Sequence, residues 1–115
     1  MQTYSYATIY NTKNQLVSLG DTAFQMFQGD LELDVRYVRH IGKYAFQDCI
    51  NLKTLDFSRK TDDYIPILDS PHAFMMQDWH TLVNETFQII VPNSLLDKWR
   101  NSVNWSAVKK HIIGV

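Results

Sequence analysis

The amino-acid sequence predicts an α/β fold: a short solenoid whose stacked units carry parallel strands and whose C-terminal end is capped by helices. Three observations carry the prediction. The segment LGDTAF, Leu19 to Phe24, returns as IGKYAF, Ile41 to Phe46, at an offset of 22 residues with aliphatic, Gly, Ala and Phe each in register. The stretches LELDV and TLDF alternate apolar with polar residues, as half-buried strands do. Beyond Pro92 the apolar spacing changes to that of helices.

Composition bounds the class of protein. A chain of 115 residues, 45% hydrophobic and 20% charged, is sized for a single globular domain spanning 1–115. Eleven basic side chains against twelve acidic ones give a net charge of −1, which predicts no direct binding to nucleic acid. The opening MQTYSYATIY lacks a basic region followed by an apolar run, and no window approaches the ~20 apolar residues of a membrane span. Cys49 is the single cysteine, so no internal disulfide can form. A cytoplasmic monomer, without membrane association, is expected.

The elements follow in order. Residues 1–18 form an N-terminal strand region, in which YATIY reads as a strand and TKNQ as a turn. Residues 19–91 hold the repeats. In LELDV, Leu31, Leu33 and Val35 point inward, followed by Val38 and Ile41, while Glu32 and Asp34 point outward. In the next unit, Gly42 permits a tight bend, and Ala45 and Phe46 offer a small and a large residue to fill the space between coils. Leu52 then leads into a strand with Leu55 and Phe57 inward and Thr54 and Asp56 outward. The 22-residue period falls within the ~20–29 residues of leucine-rich repeats. A weaker copy, SPHAF, ends at Phe74, and the looser composition from Thr61 to Asn84 predicts an enlarged loop. FQIIV is expected to be the final strand. In the helical cap, 92–115, Ser94 with Asp97 resembles a capping box, and Leu95, Leu96 and Trp99 face inward. Asn104 is placed to cap a second helix bearing Trp105, Val108 and Ile112.

IGKYAFQDCINLKTLDF resembles the repeat of the bacterial surface-antigen type of leucine-rich-repeat protein: apolar-Gly-x-x-Ala-Phe-x-x-Cys-x-x-Leu-x-x-apolar-x-apolar. The end, IIVPNSLLDKWRNSVNWSAVKKHIIGV, is similar to the tail closing such arrays in phage and gut-bacterial proteins. The resemblance covers roughly residues 16 to 115. It departs at Phe27, which takes the Cys position of the first unit, and in the small number of units. It implies binding of proteins or cell surfaces without catalysis.

The chemistry-bearing residues support that expectation. Cys49 falls in a core slot of the repeat, with no His at a recognisable distance. His72 and His80, with Asp69 and Asp78, match no strong metal spacing. Lys109, Lys110 and His111 sit where cations complement a helix end. No Gly-rich phosphate loop is present; no cofactor and no metal are expected, and the protein is not expected to be an enzyme. The partner-binding candidates are Glu32, Asp34, Thr54 and Asp56, an outward ladder with an acidic bias, and Trp79 as an aromatic anchor. The expected partner is a protein with a basic surface, such as a nucleic-acid-binding host protein. A small phage or mobile-element inhibitor of a CRISPR effector nuclease is the specific expectation, helped by a chain that starts at Met1 and carries its own cap. A virion or cell-surface recognition module is the alternative.

Overall fold

The computed structural model describes Thr8, Ile9 and residues 18–115; the TKNQ turn lies outside these. Among the described residues eight short strands are formed: β1 (Thr8–Ile9), β2 (Ser18–Leu19), β3 (Leu31–Asp34), β4 (His40–Ile41), β5 (Leu52–Asp56), β6 (Ile67–Leu68), β7 (Gln88–Val91) and β8 (Ile112–Gly114). One α-helix of five residues, α1 (Leu96–Arg100), lies between β7 and β8. The strands make two parallel sheets, one ordered β1-β3-β5-β7-β8 and the other β2-β4-β6. From β1 to β7 the chain visits the two sheets in turn. Each return to the larger sheet therefore runs in the same direction, which is why its neighbours pair in parallel without long crossover helices.

The 22-residue offset reappears as strand register. Glu32 pairs with Thr54, Leu33 with Leu55 and Asp34 with Asp56, while Leu31 pairs with Leu52, so one extra residue is accommodated as a bulge. On the smaller sheet Ser18 pairs with His40 and Leu19 with Ile41. This second sheet was not foreseen, because two-residue strands carry no readable alternation.

Between the sheets, the Ala-Phe pairs stack. The rings of Phe24, Phe46, Phe74 and Phe87 lie 5.6, 5.7 and 5.5 Å apart and nearly parallel, and His111 ends the column 4.2 Å from Phe87. The Phe24 N–H donates to the Ala45 carbonyl at 2.8 Å and the Phe46 N–H to the Ala73 carbonyl at 3.0 Å. SPHAF thus occupies the place of a third Ala-Phe copy despite its longer offset. Each buried Phe contributes ~1.5–3 kcal/mol of transfer free energy, and each ring pair ~0.5–1.5 kcal/mol more. Leu31, Leu33, Val35, Cys49, Leu52, Leu55 and Phe57 complete one buried cluster that runs on to Ile112.

Three expectations are corrected. The segment 61–84 is not simply a loop: it contains β6, a 3₁₀ turn at Pro71–Phe74 begun by the Ser70 hydroxyl accepting from the His72 N–H, and an antiparallel bridge between Met75 and Leu82. The C-terminal region is not a helical cap. It holds a 3₁₀ turn at Asn93–Leu95, the short α1, a kinked 3₁₀ stretch at Trp105–His111, and then β8, which pairs Ile112 with Ile89 and Ile113 with Ile90. FQIIV is consequently not the last strand. The physical reason is that β7 would otherwise leave a row of unpaired backbone groups, and the β-branched Ile112 and Ile113 suit a strand better than a helix. No side-chain bond caps the N-terminus of α1, while at its C-terminal end the Asn101 side-chain amide donates to the Asp97 carbonyl at 2.8 Å. Asn104 has φ 68°, and its side-chain amide donates instead to the Leu68 carbonyl at 2.7 Å. Leu95, Trp99, Trp105 and Val108 are buried as the sequence reading placed them. Trp105 Nε1 donates to the Pro66 carbonyl at 2.7 Å.

The two in-register glycines are not equivalent. A Cβ on Gly42 would lie 2.5 Å from the backbone N and Cα of Asp21, whereas one on Gly20 meets nothing within 4 Å among the described residues. Gly42→Ala is therefore expected to cost ~1–3 kcal/mol through forced separation of the stacked backbones, and Gly20→Ala to be close to neutral. Urea melts of the two variants check this; equal midpoints would refute the close packing of Gly42 on Asp21.

Candidate interaction surface

The outward side of the larger sheet carries two rows. Parallel register aligns Glu32, Thr54 and Gln88 in one, and Asp34, Asp56, Ile90 and Ile113 in the other, at the ~4.8 Å strand spacing. Glu32 and Gln88 are exposed, while Asp34, Thr54 and Asp56 are half-buried. The sequence-predicted ladder is thus assembled as two neighbouring pairs, Glu32 beside Thr54 and Asp34 beside Asp56.

Its charge differs from the expectation. Asp34 and Asp56 end their strands, and each carboxylate accepts the N–H two residues on, from Arg36 at 3.2 Å and from Ser58 at 2.8 Å, turning the chain. The Arg36 guanidinium also grips Asp34, its Nε at 3.1 and 3.0 Å from the two oxygens, and Arg59 lies 4.0 Å away. The Arg36 side chain, opposed in part by burial, holds the Asp34 carboxyl below its ordinary range. Two like charges at neighbouring register positions are compensated in this way. The face is mixed in charge, with Glu32 its most exposed acid.

Trp79 belongs to a different feature. It lies in a turn with φ 63°, is 48% exposed, and stacks on His72 at 4.9 Å and on Tyr44 at 6.4 Å. Beside it, Asp78 accepts the N–H groups of His80 and Thr81 and the Thr81 hydroxyl, which holds its carboxyl down at about 2. Trp79 is an aromatic platform on the turns that lead into the strands, not an addition to the strand-face ladder.

A further cluster escaped the sequence reading. Ser18 Oγ lies 3.3 Å from His40 Nδ1, and His40 Nε2 lies 2.8 Å from Asp69 Oδ2. The 22-residue offset already pairs Ser18 with His40, but only β6 brings Asp69 alongside. If Nε2 carries the proton toward Asp69, Nδ1 is the acceptor for the hydroxyl, which is the order nucleophile, base, carboxylate. All three side chains are at the surface, those of His40 and Asp69 39% and 31% exposed. Among the described residues no three of His, Cys, Asp or Glu converge as metal ligands. His72, His80, Asp69 and Asp78 are engaged separately, His72 with Trp79, Asp69 with His40, and Asp78 with the N–H groups of its own turn, that of His80 included. Lys109, Lys110 and His111 fall in the last turn of the Trp105–His111 stretch. No family model matches the chain, and no curated protein or solved structure is significantly similar to it. Among the described residues no helix is long and apolar enough to cross a membrane.

Cys49 is wholly buried, its thiol directed at the Phe24 carbonyl, and desolvation pushes it up to about 12. At pH 8 its thiolate fraction is ~10⁻⁴. Native protein is expected to react with a bulky disulfide reagent at least ~100-fold more slowly than protein in urea, since only the thiolate attacks. Native labelling at the denatured rate would contradict the buried placement.

Proposed function

We propose that the chain is a short leucine-rich-repeat solenoid of the bacterial surface-antigen type that binds a protein partner without catalysis, through the outward face of its larger sheet. The observation that carries this reading is the parallel register that sets Glu32, Thr54 and Gln88 side by side on paired strands. Such a surface is pre-organised, so little side-chain and loop entropy is lost on docking. A basic protein surface complements it at Glu32, and electrostatic steering speeds encounter. The most concrete form of the proposal is a small cytoplasmic inhibitor from a phage or mobile element, aimed at a host CRISPR effector nuclease whose nucleic-acid channel is basic.

The clean test avoids Asp34 and Asp56, because both hold turns and Asp34 anchors Arg36. Glu32→Lys combined with Thr54→Lys should slow association with a purified effector by ~10-fold at low salt, the difference shrinking as salt rises, with the melting temperature nearly unchanged. Trp79→Ala is the control and should leave association unaltered. A folded double variant that binds at the original rate would exclude this face.

A second reading, hydrolysis at Ser18, is favoured by the Ser18–His40–Asp69 line alone. A fluorophosphonate probe separates the two: no adduct on Ser18 is expected, and stoichiometric labelling lost in His40→Ala would replace binding with catalysis.

A further inference from the structure

The loops that follow β3 and β5 enclose a cleft of about 220 Å³ lined by Arg36, Tyr37, Arg39, Lys60, Asp62 and Tyr64. We propose that this cleft binds a phosphomonoester dianion. The proposal does not rest on the reading of the strand face.

Arg36, Arg39 and Lys60 line the cleft with Asp62; Arg36 is paired with Asp34, so Arg39 and Lys60 face one carboxylate and leave the lining a net charge of +1. The Lys60 side chain is only 3% exposed, and its ammonium donates to the Asp62 carbonyl at 3.1 Å and to the Asp62 carboxylate. An ammonium has three donors, and these two acceptors leave one for an incoming oxygen. Arg39 lies with its guanidinium 4.5 Å above the Tyr64 ring, which orients it, while its Nη2 is 3.8 Å from Asp62, beyond hydrogen-bond distance. Among the described residues no hydrogen bond ties the Arg39 fork. Arg36 is committed to Asp34.

Asp62 occupies the position of an internal anion. Its carboxylate accepts from Lys60 and from the Tyr64 N–H at 3.1 Å, and the Lys60 bond is the main reason its carboxyl lies below the ordinary range. A single carboxylate neutralises only part of the lining. A phosphomonoester brings three tetrahedral oxygens and up to two negative charges to the Arg39 fork and the Lys60 ammonium, where a carboxylate brings two oxygens and one charge. At ~30 Å³ per water-sized volume, the cleft holds a phosphoryl group and a small organic substituent. The rings of Tyr37 and Tyr64 offer that substituent an apolar surface.

The test is a titration of labelled protein with phenyl phosphate, inorganic phosphate and benzoate at constant ionic strength, followed through the backbone amides of Tyr37, Arg39, Lys60 and Tyr64. Saturable shifts with both phosphates, and binding of benzoate at least ~10-fold weaker, are expected. Arg39→Gln, at an exposed side chain, should weaken phenyl phosphate ~10-fold with the fold intact. Asp62→Asn keeps an acceptor for the Tyr64 N–H and removes the competing charge, and it should tighten binding several-fold. Absence of saturable shifts, equal binding of benzoate, or unchanged affinity in both variants would overturn the proposal.

Discussion

The close stacking of successive chain segments around the Ala-Phe pairs is the interaction on which the rest of this structure depends. Phe46 is wholly buried between Phe24 and Phe74, and the backbone beside it donates to Ala73 on one side while Ala45 accepts on the other. Nothing larger than glycine fits where residue 42 meets Asp21. The same stacking tolerates unfavourable backbone. Met26 and Asp48, 22 residues apart, both adopt left-handed conformations, with φ of 62° and 60°, at ~1–2 kcal/mol each. Their N–H groups reach the Gln47 and Met75 carbonyls of the next segment, which offsets that cost.

Once the segments are held in this way, side chains at equivalent positions become neighbours whether or not they are compatible. Gln25 and Gln47 meet in a hydrogen bond, a favourable outcome. Asp34 and Asp56 fall at one register position, an unfavourable one, and the arginines that follow β3 and β5 relieve it. The loops bearing those arginines are brought together by the same strand pairing, so the cationic cleft and the mixed strand face share a structural origin.

The end of the stack meets a different constraint, because a sheet that stops at β7 exposes both its backbone edge and its core. The chain answers with two devices. β8 pairs the edge, and Trp99 and Trp105 close over Phe57 at 4.7 and 6.2 Å. Trp105 satisfies its indole N–H on Pro66, whereas Trp99 Nε1 meets no acceptor among the described residues. Closure by packing comes with one unsatisfied donor, whose desolvation costs ~1–3 kcal/mol.

Read alone, the sequence determined the features that repeat. The 22-residue offset, the inward Leu31, Leu33, Leu55 and Phe57, the outward Glu32 and Thr54, and the buried Cys49 all follow from local alternation and from one segment lying on its copy. Tertiary structure decided what depends on contacts between dissimilar segments. Strands of two residues have no period to read, so the sheet of β2, β4 and β6 became visible only when stacked. Ile112 and Ile113 fit a helical spacing and a strand equally, and the open edge of β7 chose the strand. The acidic character of Asp34 was legible, but its neutralisation was not, since charge at a site is the sum over neighbours and those neighbours are set by where the loops return.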